Sequence, residues 1–360
     1  MIQIERSKIT KILVIKPRAI GDVLLSTPVL PSLRREFPAA QIDFLVEKFA
    51  APILLGNPFI DKVISFDAKS QSSLSVIFTV RKNNYDLIVD LFANPRTAII
   101  TMLSGARFRV GYPFKWRRYA YNILVPSRNG EFHNVEFNLD ALRRIGIPVQ
   151  PSQPLFYLDS LSKDFANDFL KRHDLPQDKF ITINIGGGWE IKRWKTEKFI
   201  GLCLMIRERL HLQVVVLYGQ SETIDAEKIS SSSNSVLAPR TSLHEMGAIM
   251  KKSLLLITND SGPMHIAAAL DVPTLAIFGP TNPRLQGPYG NISGIVRNER
   301  LDCLECNLTK CPIGNPCMKG LDAETVFKKL LGLISKIENI RTQNFTSQQI
   351  EGVKKLDENF

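Results

Sequence analysis

The sequence predicts an α/β protein of two lobes, each built on a parallel β-sheet, and three observations carry that prediction. The chain has 360 residues, more than one hydrophobic core usually supports. Short apolar runs of β character alternate with helix-length segments in two separate series, which is the pattern of parallel β-α-β units. Between the series, Pro148, Pro151 and Pro154 fall close together, a linker composition. Hydrophobic residues at 44% and charged residues at 22% fit a globular chain and not a disordered one.

In the first series, strand-like runs come at Lys11 to Lys16, Gln41 to Val46, Lys62 to Phe66 and Tyr85 to Leu91, with shorter pieces at Ala106 to Tyr112 and Tyr121 to Val125. Helical segments are expected from about Ile20 toward Phe37, interrupted at Pro28 and Pro31, then at Ser72 to Lys82, Asn94 to Leu103 and Phe132 to Ile145. After the linker and a helix from Leu161 to His173, the second series runs through strands Phe180 to Ile185, Gln213 to Tyr218, Ser235 to Ala238, Leu254 to Thr258 and Thr274 to Phe278. Helices are expected between them near Thr196 to Arg209, Ser221 to Ile229, Ser242 to Met250 and Met264 to Leu270. Two such series suggest Rossmann-like lobes facing across a cleft, with domains at 1–150 and 151–321. A last helix near Asp322 to Ile340 has apolar residues at helical spacing, so 322–360 reads as a helix that packs back on the first lobe, followed by a polar, frayed tail.

The N-terminus, from Met1 to Arg6, lacks the pattern of a secretory signal, and no apolar run is long enough to span a bilayer. A cytoplasmic protein is expected, with contact at the inner membrane face if its substrate lies there. The net charge of +11 invites an anionic partner. No acid falls between Asp90 and Glu131, while Arg96, Arg107, Arg109, Lys115, Arg117, Arg118 and Arg128 do, interleaved with aromatic residues. That stretch fits either a solvated face or a binding surface. Nucleic acid is not the expected partner, because no RNA-binding or helix-turn-helix motif accompanies it.

Ligands in open parallel sheets bind beyond the carboxyl ends of strands. Gly21-Asp22 follows the first strand, where Asp22 fits a general base or a helix N-cap. Ile185-Gly186-Gly187-Gly188 ends the first strand of the second series and leads to Lys192 and Arg193, a loop with room for a diphosphate and cations to meet it. It is neither a Walker loop nor the G-x-G-x-x-G of a dinucleotide site, which speaks against a nicotinamide-dependent oxidoreductase. Glu222 could accept from a ribose hydroxyl or simply complement a helix dipole. Asn259-Asp260-Ser261-Gly262-Pro263 is a turn and helix start, whose free N–H groups favour a phosphate. His265 fits a ligand contact or a core position. Cys303, Cys306, Cys311 and Cys317 are clustered, and metal ligands, reduced thiols and oxidised pairs are equally consistent with them.

Four segments in order resemble glycosyltransferase family 9, the ADP-heptose:lipopolysaccharide heptosyltransferases. They are Arg18 to Leu24 with Thr27-Pro28, Gly187-Gly188-Trp189 with Lys192 and Trp194, Asn259 to Pro263 with His265 and Ala267-Ala268, and Phe278-Gly279-Pro280-Thr281. The resemblance implies a GT-B fold with an acceptor lobe followed by a nucleotide-sugar lobe. It implies inverting transfer of heptose from ADP-heptose to the Kdo-lipid A inner core of lipopolysaccharide, bare or already heptosylated. No cofactor is expected for catalysis, and a structural zinc on the cysteines is one of the open readings. On that resemblance Asp22 is the catalytic base, and Gly187, Gly188, Lys192, Glu222, Asp260, Ser261, Gly262 and His265 are the donor-binding set. Arg18, Arg107, Arg109, Lys115, Arg117 and Arg118 are the candidates for an anionic glycolipid acceptor. The alternatives are a transferase using another nucleotide sugar on a cell-envelope glycan, or a non-catalytic nucleotide- or nucleic-acid-binding protein.

Overall fold

The computed structural model describes residues 4–357 except Ser127, Asn129, Pro151 and Asn291, with side chains described to residue 343. The expected boundary at 150/151 and the first three residues of the N-terminal signal reading therefore touch positions outside the described residues. Two six-stranded sheets form the framework. The first holds β1 (Lys11–Ile15), β2 (Gln41–Glu47), β3 (Lys62–Phe66), β4 (Leu87–Asp90), β5 (Phe108–Gly111) and β6 (Ile123–Leu124), in the order β3-β2-β1-β4-β5-β6. The second holds β7 (Phe180–Asn184), β8 (Gln213–Leu217), β9 (Val236–Leu237), β10 (Leu255–Asn259), β11 (Thr274–Ile277) and β12 (Ser293–Val296), in the order β12-β11-β10-β7-β8-β9. All pairings are parallel, and the two orders are the same topology read from opposite edges. In such a sheet the direction of winding reverses between the first and fourth strands, here β1 and β4, then β7 and β10. The candidate loops after β1, β7 and β10 all start at these switch points.

Central strands are near-continuous Val, Ile and Leu because helices cover both faces of a parallel sheet. β1, β7 and β10 are buried along almost their whole lengths. One buried cluster extends from Val14, Val23 and Leu24 in the first lobe to Met246, Leu256 and Ile266 in the second. Between them sits Phe156, whose ring stacks on His244 at 4.9 Å. The linker also ties the lobes together, since Leu155 N–H donates to Thr27 Oγ1 at 2.7 Å.

Differences from expectation have local causes. The helix expected after β1 divides into Ile20–Leu24 and Val29–Glu36, with Pro28 as the cap of the second piece. β12 was not expected, because Ser293 and Gly294 carry no β signal. Its pairing with β11 supplies the strand. The last helix runs from Ala323 to Asp357, well past the expected fraying point. Its Val326, Phe327, Leu330, Leu333 and Ile337 join the core of the second lobe rather than the first. No helix among the described residues is long and apolar enough to cross a membrane.

Buried Asp90 at the end of β4 shows how one carboxylate organises a loop. Its Oδ1 accepts from the N–H groups of Phe92 and Ala93 at 3.0 and 2.9 Å, and its Oδ2 from the Tyr121 hydroxyl at 2.7 Å. Burial pushes its carboxyl above the usual range, and these donors oppose the shift. Tyr121→Phe removes one donor from a fully buried acceptor, so urea unfolding should show a loss of about 1–3 kcal/mol. An unchanged midpoint would mean that the bond carries no net stability.

Candidate active site

The chain leaves β1 through buried Lys16, then Pro17 and Arg18, and enters the helix Ile20–Leu24. Asp22 lies in its first turn and is not the N-cap, a position that Ala19 takes; as the third helical residue it accepts from Ala19 N–H at 3.1 Å. The carboxylate remains partly accessible. Lys16 donates to Leu91 O at 2.9 Å and to Asn138 Oδ1 at 3.4 Å. Burial lowers its pKa, while the negative fields of Asp22 and Asp90 oppose that shift. This lysine was missed in the sequence, although a cation that ends an apolar strand is a readable signal.

On the opposite lobe, β10 ends in Asn259, and the helix Gly262–Ala269 begins after Ser261. Asn259 organises the turn. Its Oδ1 accepts from Trp194 N–H at 3.1 Å, and its Nδ2 donates to Ile185 O and Gly186 O at 2.9 and 3.2 Å. Pro263 sits at the start of the helix, where a missing N–H costs nothing. The Ser261 side chain makes no cap bond and lies 3.3 Å from Thr258 Oγ1.

The two helix starts meet. A Cβ placed on Gly21 would stand 2.5 Å from His265 Cδ2, and one on Gly262 would stand 2.8 Å from Ile20 Cγ2. Only hydrogen at both positions permits this approach. His265 is 6% exposed, and its Nδ1 is among the buried atoms without a hydrogen-bond partner in the described residues, as is Asn184 Oδ1 at the end of β7. Burial lowers the His265 pKa to about 4, against the opposing pull of Asp260 and Asp22.

Lys192 comes from the turn after the glycine loop and donates to Asp260 Oδ2 at 2.6 Å. The same oxygen accepts from Thr281 Oγ1 at 2.6 Å. Lys192 also lies 4.5 Å from the centre of the Trp189 ring. The pair is nearly buried, with side-chain exposures of 12% and 5%. A carboxylate is a poor neighbour for a diphosphate. Asp260 is better placed to hold Lys192 and Thr281 than to touch phosphate itself.

Glu222 forms a second centre. Its Oε2 accepts from Gly219 N–H at 3.1 Å, Ser221 Oγ donates to its Oε1, and Arg193 Nη2 lies 3.0 Å from that oxygen. Arg193 Nε in turn donates to Gly187 O at 2.9 Å, which stiffens the glycine loop, while Gly188 has open space beside it. Arg193 and Glu222 both line a cavity of about 620 Å³ that reaches Cys311 and Asn315.

The acceptor candidates separate. Arg18 stands in the loop leading to Asp22, with its Nε 3.7 Å from Glu47. Lys115 and Arg118 are exposed on the 3-10 turn Lys115–Ala120, while Arg117 donates to Ala93 O at 2.8 Å. Arg107 faces Glu5 at 3.9 Å, and Arg109 donates to Ala120 O and Ala106 O. Both lie toward the amino-terminal edge of the sheet, opposite the edge that carries Asp22. The cysteines do not form a ligand set. Cys303 and Cys306 are exposed, Cys317 is buried, and no group of three or more His, Cys, Asp or Glu among the described residues is placed to hold a metal ion.

Two parallel-sheet lobes whose switch-point loops meet across a cleft constitute the GT-B class of fold. Within that class the chain belongs to glycosyltransferase family 9 (heptosyltransferase), whose pattern matches residues 74–316, and it is a glycosyltransferase. It is 30% identical over 293 residues to lipopolysaccharide heptosyltransferase 3 of Escherichia coli K12, which covers 75% of this chain and 82% of that protein. The crystal structure of a family 9 glycosyl transferase from Veillonella parvula superposes with a TM-score of 0.78 at 24% identity, covering 91% and 97% of the two chains. An E. coli heptosyltransferase structure with ADP-2-deoxy-2-fluoro heptose gives 0.68 at 18%, covering 90% and 99%. At these identities the two structures speak to the fold.

A depressed histidine pKa has a definite consequence for stability. The folded chain keeps His265 neutral down to about pH 4, whereas an unfolded histidine takes its proton near 6.5. Its contribution is therefore complete above about pH 6.5 and is lost as pH falls toward 4, by up to about 1.4 kcal/mol per unit. Denaturant titrations over this window should show a shallower pH slope for His265→Gln than for the parent chain. Parallel slopes would contradict the assignment.

Proposed function

We propose that the protein transfers heptose from ADP-heptose to the inner core of lipopolysaccharide, with inversion, and that the acceptor is an anionic glycolipid at a membrane surface. The observation that carries the reading is the meeting of the Asp22 helix start with the Gly262 helix start, beside the Lys192–Asp260 pair. The heptosyltransferase names of the relatives support the sugar, and the neighbour solved with an ADP-heptose analogue supports the nucleotide.

In this reading the acceptor hydroxyl gives its proton to Asp22 as its oxygen attacks the anomeric carbon. The new glycosidic bond forms as the bond from that carbon to the diphosphate oxygen breaks, and ADP leaves with the electron pair. Lys192, held by Asp260, and the N–H groups at the start of the Gly262–Ala269 helix stabilise the charge that grows on the leaving group. No metal takes part in these steps. Glu222 binds the nucleotide portion through the ordered loop that it shares with Arg193. Arg18, in the loop before Asp22, meets an acidic group of the acceptor.

Presented with ADP-heptose and UDP-, GDP- and ADP-hexoses on a Kdo-lipid A acceptor, the protein should turn over the heptose donor. Preference for a different nucleotide sugar would replace this reading with that of another cell-envelope glycosyltransferase. Asp22→Asn should bind donor as the parent does and lose about 10²–10⁴-fold in transfer. Lys192→Ala should weaken donor binding about 10–100-fold through loss of a charged hydrogen bond. Near-parental turnover by Asp22→Asn would remove Asp22 from the chemistry.

A further inference from the structure

The first lobe carries an apolar surface that the site does not use. Helices Ser73–Lys82 and Pro95–Leu103 lie side by side on one face of the sheet, and the turn Lys115–Ala120 packs along the second of them. Their inner faces are satisfied, with Val76, Ile77, Val80 and Ile100 buried on Leu13, Ile15 and Ile88. Their outer faces expose Leu74, Phe78, Met102, Leu103, Trp116 and Tyr119, with Phe78 at 69% and Tyr119 at 77%. Large apolar side chains concentrated on one layer mark an interaction surface more often than isolated ones do.

Charge indicates what covers this layer. Arg81, Lys82, Lys115 and Arg118 are exposed on the same three elements. Of the acids nearest in sequence, Asp67 lies in the turn before the first of these helices, where it accepts from Lys69 N–H at 2.9 Å. Asp86 accepts the N–H groups of Thr10 and Lys11 at 2.8 and 3.0 Å, and Asp90 is buried. Two aromatics with polar edges, aliphatic side chains beside them and long cations around them, with no free acid among them, match the boundary between a bilayer's acyl chains and its headgroups. A protein partner or a second copy of this chain would have to cover a surface whose three elements carry exposed cations and no acid.

We propose that this layer docks the enzyme on an anionic phospholipid bilayer, with Leu74, Phe78, Trp116 and Tyr119 entering the interface and the four cations meeting lipid phosphates. Both helices begin at the sheet edge that carries Asp22, so docking sets the cleft beside the membrane. The inference deepens the reading of a membrane-borne acceptor, and its test does not depend on sugar transfer.

The full chain should co-sediment with vesicles containing phosphatidylglycerol, release them as salt is raised, and bind phosphatidylcholine vesicles about tenfold less or weaker. Trp116 emission should shift to the blue on binding, and Trp116→Phe should lose that shift. The pairs Leu74→Ser with Phe78→Ser, and Arg81→Glu with Lys82→Glu, should each lower partition about tenfold in a chain that still melts cooperatively, since all four side chains are exposed and only Arg81 makes a bond, to Leu103 O, that its replacement removes. Absence of sedimentation by the parent chain, or equal partition by parent and variants, would overturn the proposal. Concentration-dependent self-association that both pairs abolish without vesicles would overturn it too, and would assign the layer to a second copy.

Discussion

Everything at the proposed site depends on how closely the helices Ile20–Leu24 and Gly262–Ala269 approach. Helix N-termini carry partial positive charge and unpaired N–H groups, so a diphosphate is favoured at the start of Gly262–Ala269, while the start of Ile20–Leu24 already holds the Asp22 carboxylate. Bringing two together across a cleft requires that no side chain intervene. Gly21 and Gly262 meet that requirement, with His265 and Ile20 filling the remaining space. The approach is held from behind by the apolar cluster that crosses between the lobes and by the bond from Leu155 to Thr27. It sets the turn that carries Asp22 against the helix start of the other lobe, beside the Lys192–Asp260 pair.

The electrostatics follow the same logic. Lys192 is nearly buried and would be costly to hold as a cation without a partner, so Asp260, itself held by the Thr281 hydroxyl, fixes it in place. On the proposed reading, a leaving diphosphate would meet a lysine whose position is already set, with little reorganisation left for the moment of bond breaking. Arg193 and Glu222 repeat the device one loop away, where the arginine also anchors the Gly187 carbonyl. In both cases a carboxylate fixes a cation in place.

Much of this was legible in the sequence because the elements that matter are long, apolar and separated by turn residues. Strands β1, β7 and β10 and the loops after them stand out in that way, and so does the interruption at Pro28. What the sequence did not show is what depends on partners far along the chain. β12 has no β-branched residue before Ile295 and exists because β11 pairs with it. The fit of Gly21 against His265 joins distant positions that carry no shared pattern. The basic stretch from Arg96 to Arg128 looked uniform, yet its members diverge. Arg96, Arg109 and Arg117 are tied to backbone carbonyls, Arg107 faces Glu5 and Arg128 pairs with Asp140, which leaves Lys115 and Arg118 outward among exposed aromatics.

The central claim is that the reacting arrangement is the close one, with the two glycine-bearing helix starts in contact. Gly21→Ala tests it most directly, because a single methyl group must displace the His265 ring or part the lobes. Donor binding and transfer should be measured together on this variant, with its melting temperature as a check on folding. The account predicts a folded chain that still binds nucleotide sugar and transfers it at least about tenfold more slowly, the scale expected when reacting groups are misplaced. Transfer at the parental rate by a folded Gly21→Ala variant would contradict it.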